Sequence, residues 1–194
     1  MKYSMYDILS NLIPGFLILF ALAILIDKSL NELDITASIV LSYIIGYLNN
    51  TLSSWIEDLF NWSWGGKPSD QLLEGKSIWK VTFYQADKAK EYLIKEIQVN
   101  SPSTDSLFQI ALRYAITDER VKEFNSNYAL SRNLILSFTI SSVIVNFYFW
   151  FNTWILAGSA VLIFIMWIRA KQRGYYFARE VLNTYIRLKE KDKE

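Results

Sequence analysis

The stretch from Asn133 to Ile168, NLILSFTISSVIVNFYFWFNTWILAGSAVLIFIMWI, contains no Asp, Glu, Lys or Arg. A bilayer core of about 30 Å is crossed by about 20 apolar residues in a helix, so this run is too long for one span and fits two short ones. The aromatic rings near its middle favour a membrane interface. We therefore predict a membrane hairpin, with helices over Leu134–Trp150 and Trp154–Ile168 and a turn at Asn152-Thr153. The alternative is a buried helical hairpin in a soluble protein.

A second uncharged run, from Ile8 to Ile26, lies near the N-terminus and is long enough for one span. Pro14-Gly15 falls within its first turns, where proline is tolerated, or marks a kink. A cleaved signal peptide is the alternative, with Lys2 as its basic region and Ala21-Leu22-Ala23 as its cleavage site. The acidic Asp7 and the long apolar continuation favour a retained span.

Apolar residues recur at helical spacing from Ile35 to Trp55, which predicts a second membrane helix, ending at Phe60 at the latest. The other face of this helix carries small and polar side chains within an arc of about 100°. Two interpretations stay open: helix–helix packing in lipid and the lining of a wetted lumen in an oligomer. We call these residues, together with the adjacent Asn50, the polar stripe: Ser38, Ser42, Gly46, Asn49, Asn50, Ser53 and Glu57.

The basic residues predict the topology. Lys and Arg are frequent between Leu59 and Arg132 and again after Ile168, whereas the connection Asp27–Asp34 holds one Lys against three acidic residues. Because basic loops stay in the cytoplasm, we predict four spans with both termini and the central segment cytoplasmic. The predicted divisions are a first helix pair (8–60), a cytoplasmic helical segment (61–131), a membrane hairpin (132–169) and a basic tail helix (170–194).

The central segment has mostly helical composition, and the predicted fold class is therefore all-α. Asp105 and Asp118 are predicted helix caps, and no helix breaker follows Asp118 before the third span. We predict one unbroken helix there, which would link the cytoplasmic part mechanically to the membrane. Asn61-Trp62-Ser63-Trp64 resembles an interface anchor, and Ser77–Tyr84 is a short strand or an extended loop. The amphipathic tail Arg169–Lys193 lies on the anionic leaflet, packs on the cytoplasmic part or stays solvated.

Composition excludes several kinds of active site. The 194 residues include no His and no Cys, and the net charge is +1. A Ser-His-Asp triad, a histidine-dependent nuclease and a His or Cys zinc site are excluded unless a partner supplies the missing group. The bulk charge does not indicate nucleic-acid binding, and no phosphate-binding glycine motif is present. We expect no enzyme activity, no cofactor, no metal and no direct nucleic-acid binding.

One short motif needs separate treatment. Arg132-Asn133 is followed after four residues by Phe138, and HEPN-type ribonucleases have an R-N-x4-H pattern with this spacing. Phe138 stands where the histidine would be, so no proton shuttle exists and we predict no ribonuclease activity. Arg132 and Asn133 are then a HEPN-like remnant. The alternative for Arg132 is a charge at the membrane edge that sets the topology and extends toward the headgroups.

Several segments together have a familiar arrangement. Tyr6–Gly15 leads into the first span, Phe124–Tyr128 and Ser131-Arg132-Asn133 lie in the helical insertion, and a hairpin with a basic tail closes the chain. This resembles the small membrane proteins of bacterial anti-phage loci, in particular the accessory proteins encoded beside the RNA-guided RNA-cleaving effector of type VI-B CRISPR systems. The resemblance implies a homo-oligomer in the inner membrane, with a ring-shaped pore as one form, that perturbs the membrane when the effector senses phage RNA.

Two functions of different classes follow. The first is a non-enzymatic, oligomeric pore or membrane-perturbing effector in anti-phage defence, embedded in the lipid bilayer and functionally coupled to a soluble RNA-guided nuclease. The second is a non-conducting anchor or scaffold that binds a soluble partner through Glu74–Tyr128. A solute transporter is disfavoured, because coupled transport usually needs ionisable groups within the membrane.

Overall fold

The computed structural model describes residues 5–26, 34–97 and 102–192. These ranges are helical apart from the connections and contain no β-strand, which confirms the predicted all-α class. Lys2, most of the Asp27–Asp34 connection and the end of the helix predicted over Ala86–Val99 lie outside the described residues. The helices are α1 (Met5–Leu25), α2 (Ile35–Trp55), α3 (Glu57–Ser63), α4 (Pro68–Leu73), α5 (Ala86–Glu96), α6 (Thr104–Ala115), α7 (Glu119–Tyr148) and α8 (Thr153–Lys191).

Four helices, α1, α2, α7 and α8, are long and apolar enough to cross a membrane. The prediction of four spans is therefore confirmed as far as the length and composition of the helices are concerned. The predicted unbroken helix after Asp118 is also confirmed, because α7 runs without interruption from Glu119 to Tyr148. The hairpin turn differs from the prediction: α7 ends at Tyr148, and Trp150 and Phe151 both adopt positive φ angles of 51° and 54° before α8 begins.

The chain divides into two compact units. Unit 1 comprises Met1–Glu57 and Ala129–Ala170, and unit 2 comprises Asp58–Tyr128 and Lys171–Glu194. Helices α7 and α8 each contribute residues to both units. The candidate membrane spans therefore lie mainly in unit 1, and the short helices lie in unit 2.

Unit 1 has the apolar exterior that suits a lipid environment. Large apolar side chains such as Phe16, Ile39, Tyr47 and Val161 are exposed on its outer surface, whereas a water-soluble domain of this size exposes only small apolar patches. The part of the polar stripe that lies on α2 is largely turned inward, and Ser42, Gly46, Asn49 and Ser53 are buried. Glu57, predicted on the same helix, is instead the first residue of α3, because α2 ends at Trp55. Asp34 caps the N-terminus of α2, and its carboxylate accepts a hydrogen bond from Ala37 N at 3.0 Å.

Unit 2 has a hydrophobic core of its own. The C-terminal part of α8 contributes Tyr175, Val181, Leu182 and Ile186, which pack with apolar side chains of α4, α5 and α6. Of the three interpretations of the basic tail, the structure agrees with packing on the cytoplasmic segment, because the tail belongs to the core of unit 2. Gly174 fits this core closely, because a Cβ there would lie 3.2 Å from both Pro68 Cγ and Tyr128 Cε2.

Two local predictions in unit 2 were wrong. Ser103, not Asp105, caps α6, since Ser103 Oγ accepts a hydrogen bond from Ser106 N at 3.2 Å. Asp105 instead pairs with Lys67 at 2.8 Å. Asp118 does act as predicted, because its carboxylate accepts a hydrogen bond from Arg120 N at 2.9 Å. Trp64 is no interface anchor: it is buried against Phe60 and Tyr128 in the interior of unit 2.

The β-prone segment Ser77–Tyr84 forms no strand. Ile78 and Val81 make a single antiparallel bridge around a tight turn, which agrees with the extended-loop alternative. Lys80 lies in this turn with φ 65°, and its ammonium sits 4.3 Å from the centre of the Trp79 ring. Trp79 and Tyr84 are 70% and 91% exposed, so the segment presents two aromatic rings to the outside.

Candidate functional site

The candidate site lies within unit 1, where the polar stripe of α2 contacts α1 and α7. Two glycines allow the backbones of α1 and α2 to approach closely. A Cβ on Gly15 would lie 1.7 Å from the Ser42 carbonyl oxygen, and a Cβ on Gly46 would lie 1.7 Å from the Asn11 carbonyl oxygen. No side chain fits at either position, so the small residues are required for this pair of helices to pack.

Asn133 of α7 joins all three helices. Its side chain is fully buried. Asn133 Oδ1 accepts a hydrogen bond from Ser53 Oγ at 2.8 Å, and the Asn133 backbone carbonyl accepts one from Asn49 Nδ2 at 3.0 Å. Asn133 Nδ2 donates to the Ser10 carbonyl oxygen of α1 at 3.3 Å. One asparagine therefore links α7 to two positions on α2 and one on α1.

The contact between Asn133 and Ser10 has a cause in the sequence of α1. Pro14 lies inside α1 and has no N–H, so the Ser10 carbonyl lacks the donor that it would normally find four residues later. A backbone acceptor without a donor is costly in an apolar environment. Asn133 supplies a donor from another helix, and Gly15 beside the proline keeps α1 close enough to α2.

Arg132 extends this network toward Glu57. Arg132 Nε donates to Ser53 Oγ at 3.0 Å, and a terminal guanidinium nitrogen contacts the Glu57 carboxylate in a short ion pair. The side chains of Arg132 and Glu57 are 11% and 35% exposed. The Ser53 hydroxyl donates to Asn133 and accepts from Arg132. It thereby uses its single donor and one of its two acceptor positions. The charge of Arg132 is therefore held within unit 1.

The outer members of the stripe are arranged differently. Ser38 Oγ donates to the Asp34 carbonyl oxygen at 3.0 Å, one turn earlier in its own helix. Asn50 is only partly buried, on a different side of α2 from Asn49. Between α1 and α2 lies an apolar groove of about 380 Å³, whose lining includes Phe16, Ile39 and Ser42.

In the part of the chain that the structure describes, the site is built from contacts between helices. Arg132 and Asn133, the pair that matches the HEPN pattern, are both engaged in contacts between helices, and Phe138 follows them on α7. Within the described ranges, no cluster of three His, Cys, Asp or Glu side chains could hold a metal ion. The chemistry visible here is that of hydrogen bonding and ion pairing between packed helices.

Comparison with known proteins identifies no relative. No family model, curated protein or solved structure matches this chain.

Sequence reasoning found the buried face of α2 but missed its partners on α1. Ser10, Pro14 and Gly15 belong to the site, and none of them was predicted as a site residue. The signal was present, since a Pro-Gly pair inside an apolar helix removes one intrahelical N–H donor and leaves one position without a side chain. The pairing of Arg132 with Glu57 had no local signal, because the two residues are 75 positions apart.

Proposed function

We propose that this chain is a non-enzymatic, multi-pass protein of the bacterial inner membrane that anchors the helical unit 2 at the cytoplasmic surface and presents it to a soluble partner. Unit 1 is the membrane anchor in this proposal. The basic residues of the central segment and tail support an orientation with both termini in the cytoplasm.

The observation that carries the proposal is the way unit 1 uses its polar stripe. Four of the seven stripe residues are buried within a single chain, and Asn49 and Ser53 are bonded to Asn133. A lumen between subunits would need polar side chains on the outer surface of the bundle, where they meet water in the assembly. Here Asn49 and Ser53 of α2 bond to α7 and Gly46 packs against α1, while the outer surface is apolar. This favours an anchor over a channel lined by α2.

Unit 2 supplies a surface for a partner. The turn around Trp79 and Lys80 exposes two aromatic rings, those of Trp79 and Tyr84, beside a lysine. Exposed Trp and Tyr side chains are enriched at protein interfaces. The turn lies within Glu74–Tyr128, the segment through which the sequence analysis expects a soluble partner to bind.

Two measurements test the anchor proposal. Because the chain has no Cys, Thr153→Cys and Gln109→Cys each introduce one labelling site. A membrane-impermeant maleimide should label Thr153→Cys on intact spheroplasts, and should label Gln109→Cys only after lysis. Equal labelling of both before lysis would overturn the orientation. Recovery of the wild-type protein in the soluble fraction without detergent would overturn the anchor itself.

A second candidate is the oligomeric pore implied by the resemblance to anti-phage accessory proteins, and one observation favours it. Of the apolar stretch in each helix that is long enough to cross a membrane, only 6% is buried in α8, against 39% in α1 and 33% in α7. A helix with so little protein around it offers a long surface to further copies of the chain. In an assembly built through α8, the lumen would be lined by residues other than the buried residues of the polar stripe.

Dye release from liposomes separates the two candidates. A pore predicts leakage with the purified oligomer, and Asn50→Leu should change that leakage while the oligomeric state stays the same. Asn49→Leu is a poor probe because it also removes the bond to Asn133. An anchor predicts tight liposomes with wild type and variant alike, and leakage that depends on Asn50 would contradict it.

A further inference from the structure

The four candidate spans of unit 1 differ in length. The apolar parts of α1 and α2 cover 18 and 21 residues, which correspond to about 27 and 31 Å at a helical rise of about 1.5 Å per residue. A bilayer core is about 30 Å thick, so both helices match it. In α7 and α8 the uncharged helix is limited to residues 133–148 and 153–168. Each of these two stretches is only about 24 Å long.

A charge that cannot move limits the uncharged part of α7. Arg132 directly precedes it, and its guanidinium donates to Ser53 Oγ and pairs with the Glu57 carboxylate. An arginine at the end of a span usually lengthens that span, because its side chain extends toward the headgroups. Arg132 cannot do so while it keeps these two bonds. Because a charged pair is costly in hydrocarbon, the hydrocarbon layer beside α7 should end close to Arg132.

Two tryptophans mark the ends of the apolar part of α8. Trp154 lies in the first turn of the helix and is 85% exposed, and Trp167 is followed two residues later by the exposed Arg169. Tryptophan is enriched at both surfaces of a membrane, where its ring lies at the level of the headgroups. At a rise of about 1.5 Å per residue, Trp154 and Trp167 are only about 20 Å apart along α8. Both tryptophans therefore fit the surfaces of a bilayer that is thinner than usual.

The two short helices have large apolar surfaces that are free to contact lipid. Val143 and Phe147 on α7 are exposed, as are Val161 and Phe164 on α8. Of the apolar stretch of α8, only 6% is buried. A short helix inside a protein bundle leaves the surrounding lipid unchanged, whereas a short helix on its surface forces the neighbouring acyl chains to adapt.

We propose that the α7–α8 hairpin thins the bilayer beside it and binds phospholipids with short acyl chains in preference to those with long chains. This inference rests on the proposed membrane insertion of unit 1. A span shorter than the local hydrocarbon thickness is matched by local thinning of the bilayer, at a cost that rises with each ångström of mismatch. Because α1 and α2 match a bilayer of ordinary thickness, the thinning is confined to the side of unit 1 that α7 and α8 form.

Quenching of tryptophan fluorescence by brominated phospholipids measures this preference. The full chain is reconstituted in vesicles of phosphatidylcholine and phosphatidylglycerol whose monounsaturated chains have 14, 18 or 22 carbons, and each lipid competes with a brominated one for the protein surface. Four of the seven tryptophans lie in unit 1 and report on the lipid around it. We expect the 14-carbon lipid to bind about two- to threefold more strongly than the 22-carbon lipid.

One substitution in α8 should change the preference. Arg169→Leu moves the first charge after the span to Lys171, which lengthens the uncharged helix by about 3 Å. The binding of long-chain lipid relative to short-chain lipid should therefore rise in this variant. Lys191→Leu is the matched control, because it removes the same charge from an exposed position at the other end of the same helix. Its lipid preference should equal that of the wild type.

Each outcome decides one question. Stronger binding of short-chain lipid by wild type and Lys191→Leu, reduced in Arg169→Leu, supports the thinning. Strongest binding at 18 carbons or more in wild type overturns the thinning and leaves the membrane proposal standing, and so does a short-chain preference that Arg169→Leu does not reduce. Absence of quenching by brominated lipid overturns both proposals. If Arg169→Leu fails to fold, as judged by size-exclusion chromatography, Trp167→Leu removes the neighbouring interface residue and decides by the same comparison.

Discussion

A Cβ atom on Gly46 would lie 1.7 Å from the carbonyl oxygen of Asn11, so α1 and α2 are in backbone contact at this point. Gly15 makes the same kind of contact with Ser42 from the other helix. These two positions set the distance between the helices.

The first prediction is that Gly46→Ala and Gly15→Ala each destabilise the protein by about 1–3 kcal/mol, because the added methyl group forces the helices apart. The measurement is thermal unfolding in detergent micelles. Gly158 provides the matched control, since a Cβ there has no neighbour within 4 Å. Gly158→Ala should leave stability unchanged or raise it by up to about 1 kcal/mol through helix propensity. Equal unfolding temperatures for the three variants would contradict the close contact.

The second prediction concerns the link between Pro14 and Asn133. Asn133→Ala removes the side-chain bonds to Ser53 and Ser10 and should cost about 1–3 kcal/mol. In a Pro14→Ala background, the new N–H of residue 14 can donate to the Ser10 carbonyl within α1. The cost of Asn133→Ala should therefore be smaller in that background by about 1 kcal/mol.

A double-mutant cycle measures this coupling, with stability in micelles as the readout. Ser53→Ala is the control partner, because its bond to Asn133 does not involve α1. Its cost should be the same with and without Pro14. An Asn133→Ala cost that is equal in both backgrounds would show that the proline does not explain the contact.

Helices were predictable where their signals are local. The uncharged run after Arg132 and the absence of a breaker after Asp118 placed α7 and the start of α8 within a few residues. Of the predicted breaker, Gly65, Gly66 and Lys67 separate α3 from α4, and Pro68 is the first residue of α4. The α6 cap was missed because Ser103 and Asp105 are both good capping residues, and only their geometry distinguishes them.

Contacts between distant residues were not predictable in the same way. Periodicity identified the face of α2 that carries Ser53, but the partner Asn133 lies 80 positions away. A polar face looks the same in sequence whether it meets another helix or a lumen. Trp62 and Trp64 also look alike in sequence, yet Trp62 is exposed and Trp64 is buried. Only the packing of unit 2 tells them apart.

The third prediction uses two turns of unit 2 with left-handed backbone. Gly75 has φ 77° after α4, with no neighbour within 4 Å of a Cβ, and Lys76 N bonds back to the Gln71 carbonyl at 2.8 Å. This is the usual place of glycine at a helix C-terminus. Gly75→Ala should therefore cost about 1 kcal/mol from backbone strain alone.

Lys80 has a similar φ of 65° without being glycine, so Lys80→Gly should raise stability by up to about 1 kcal/mol relative to Lys80→Ala. The comparison with alanine removes the contribution of the contact with Trp79, which both variants lose. Chemical unfolding of the full chain in micelles, followed by circular dichroism, measures the difference. A glycine variant less stable than the alanine variant would contradict strain at this position.

The fourth prediction contrasts two buried tyrosines of α8. Tyr175 Oη donates a hydrogen bond to Gln71 Oε1, so Tyr175→Phe should cost about 1 kcal/mol. Tyr185 Oη is buried without a partner among the described residues. Burying a hydroxyl without a hydrogen bond costs free energy of folding, so Tyr185→Phe should leave stability unchanged or raise it.

The same pair predicts how stability depends on pH. Burial raises the pKa of both Tyr175 and Tyr185 to about 12 from an ordinary value of 10.0. A raised folded-state pKa gives stability that is complete below the unfolded pKa and is lost as pH rises toward the folded one, because only the unfolded chain then releases the proton. Wild-type stability should therefore fall between about pH 10 and 12. Tyr185→Phe should fall less steeply than wild type over that interval, and the two proteins should keep a constant difference below pH 9. A constant difference through pH 12 would mean that the phenol of Tyr185 meets water in the folded protein.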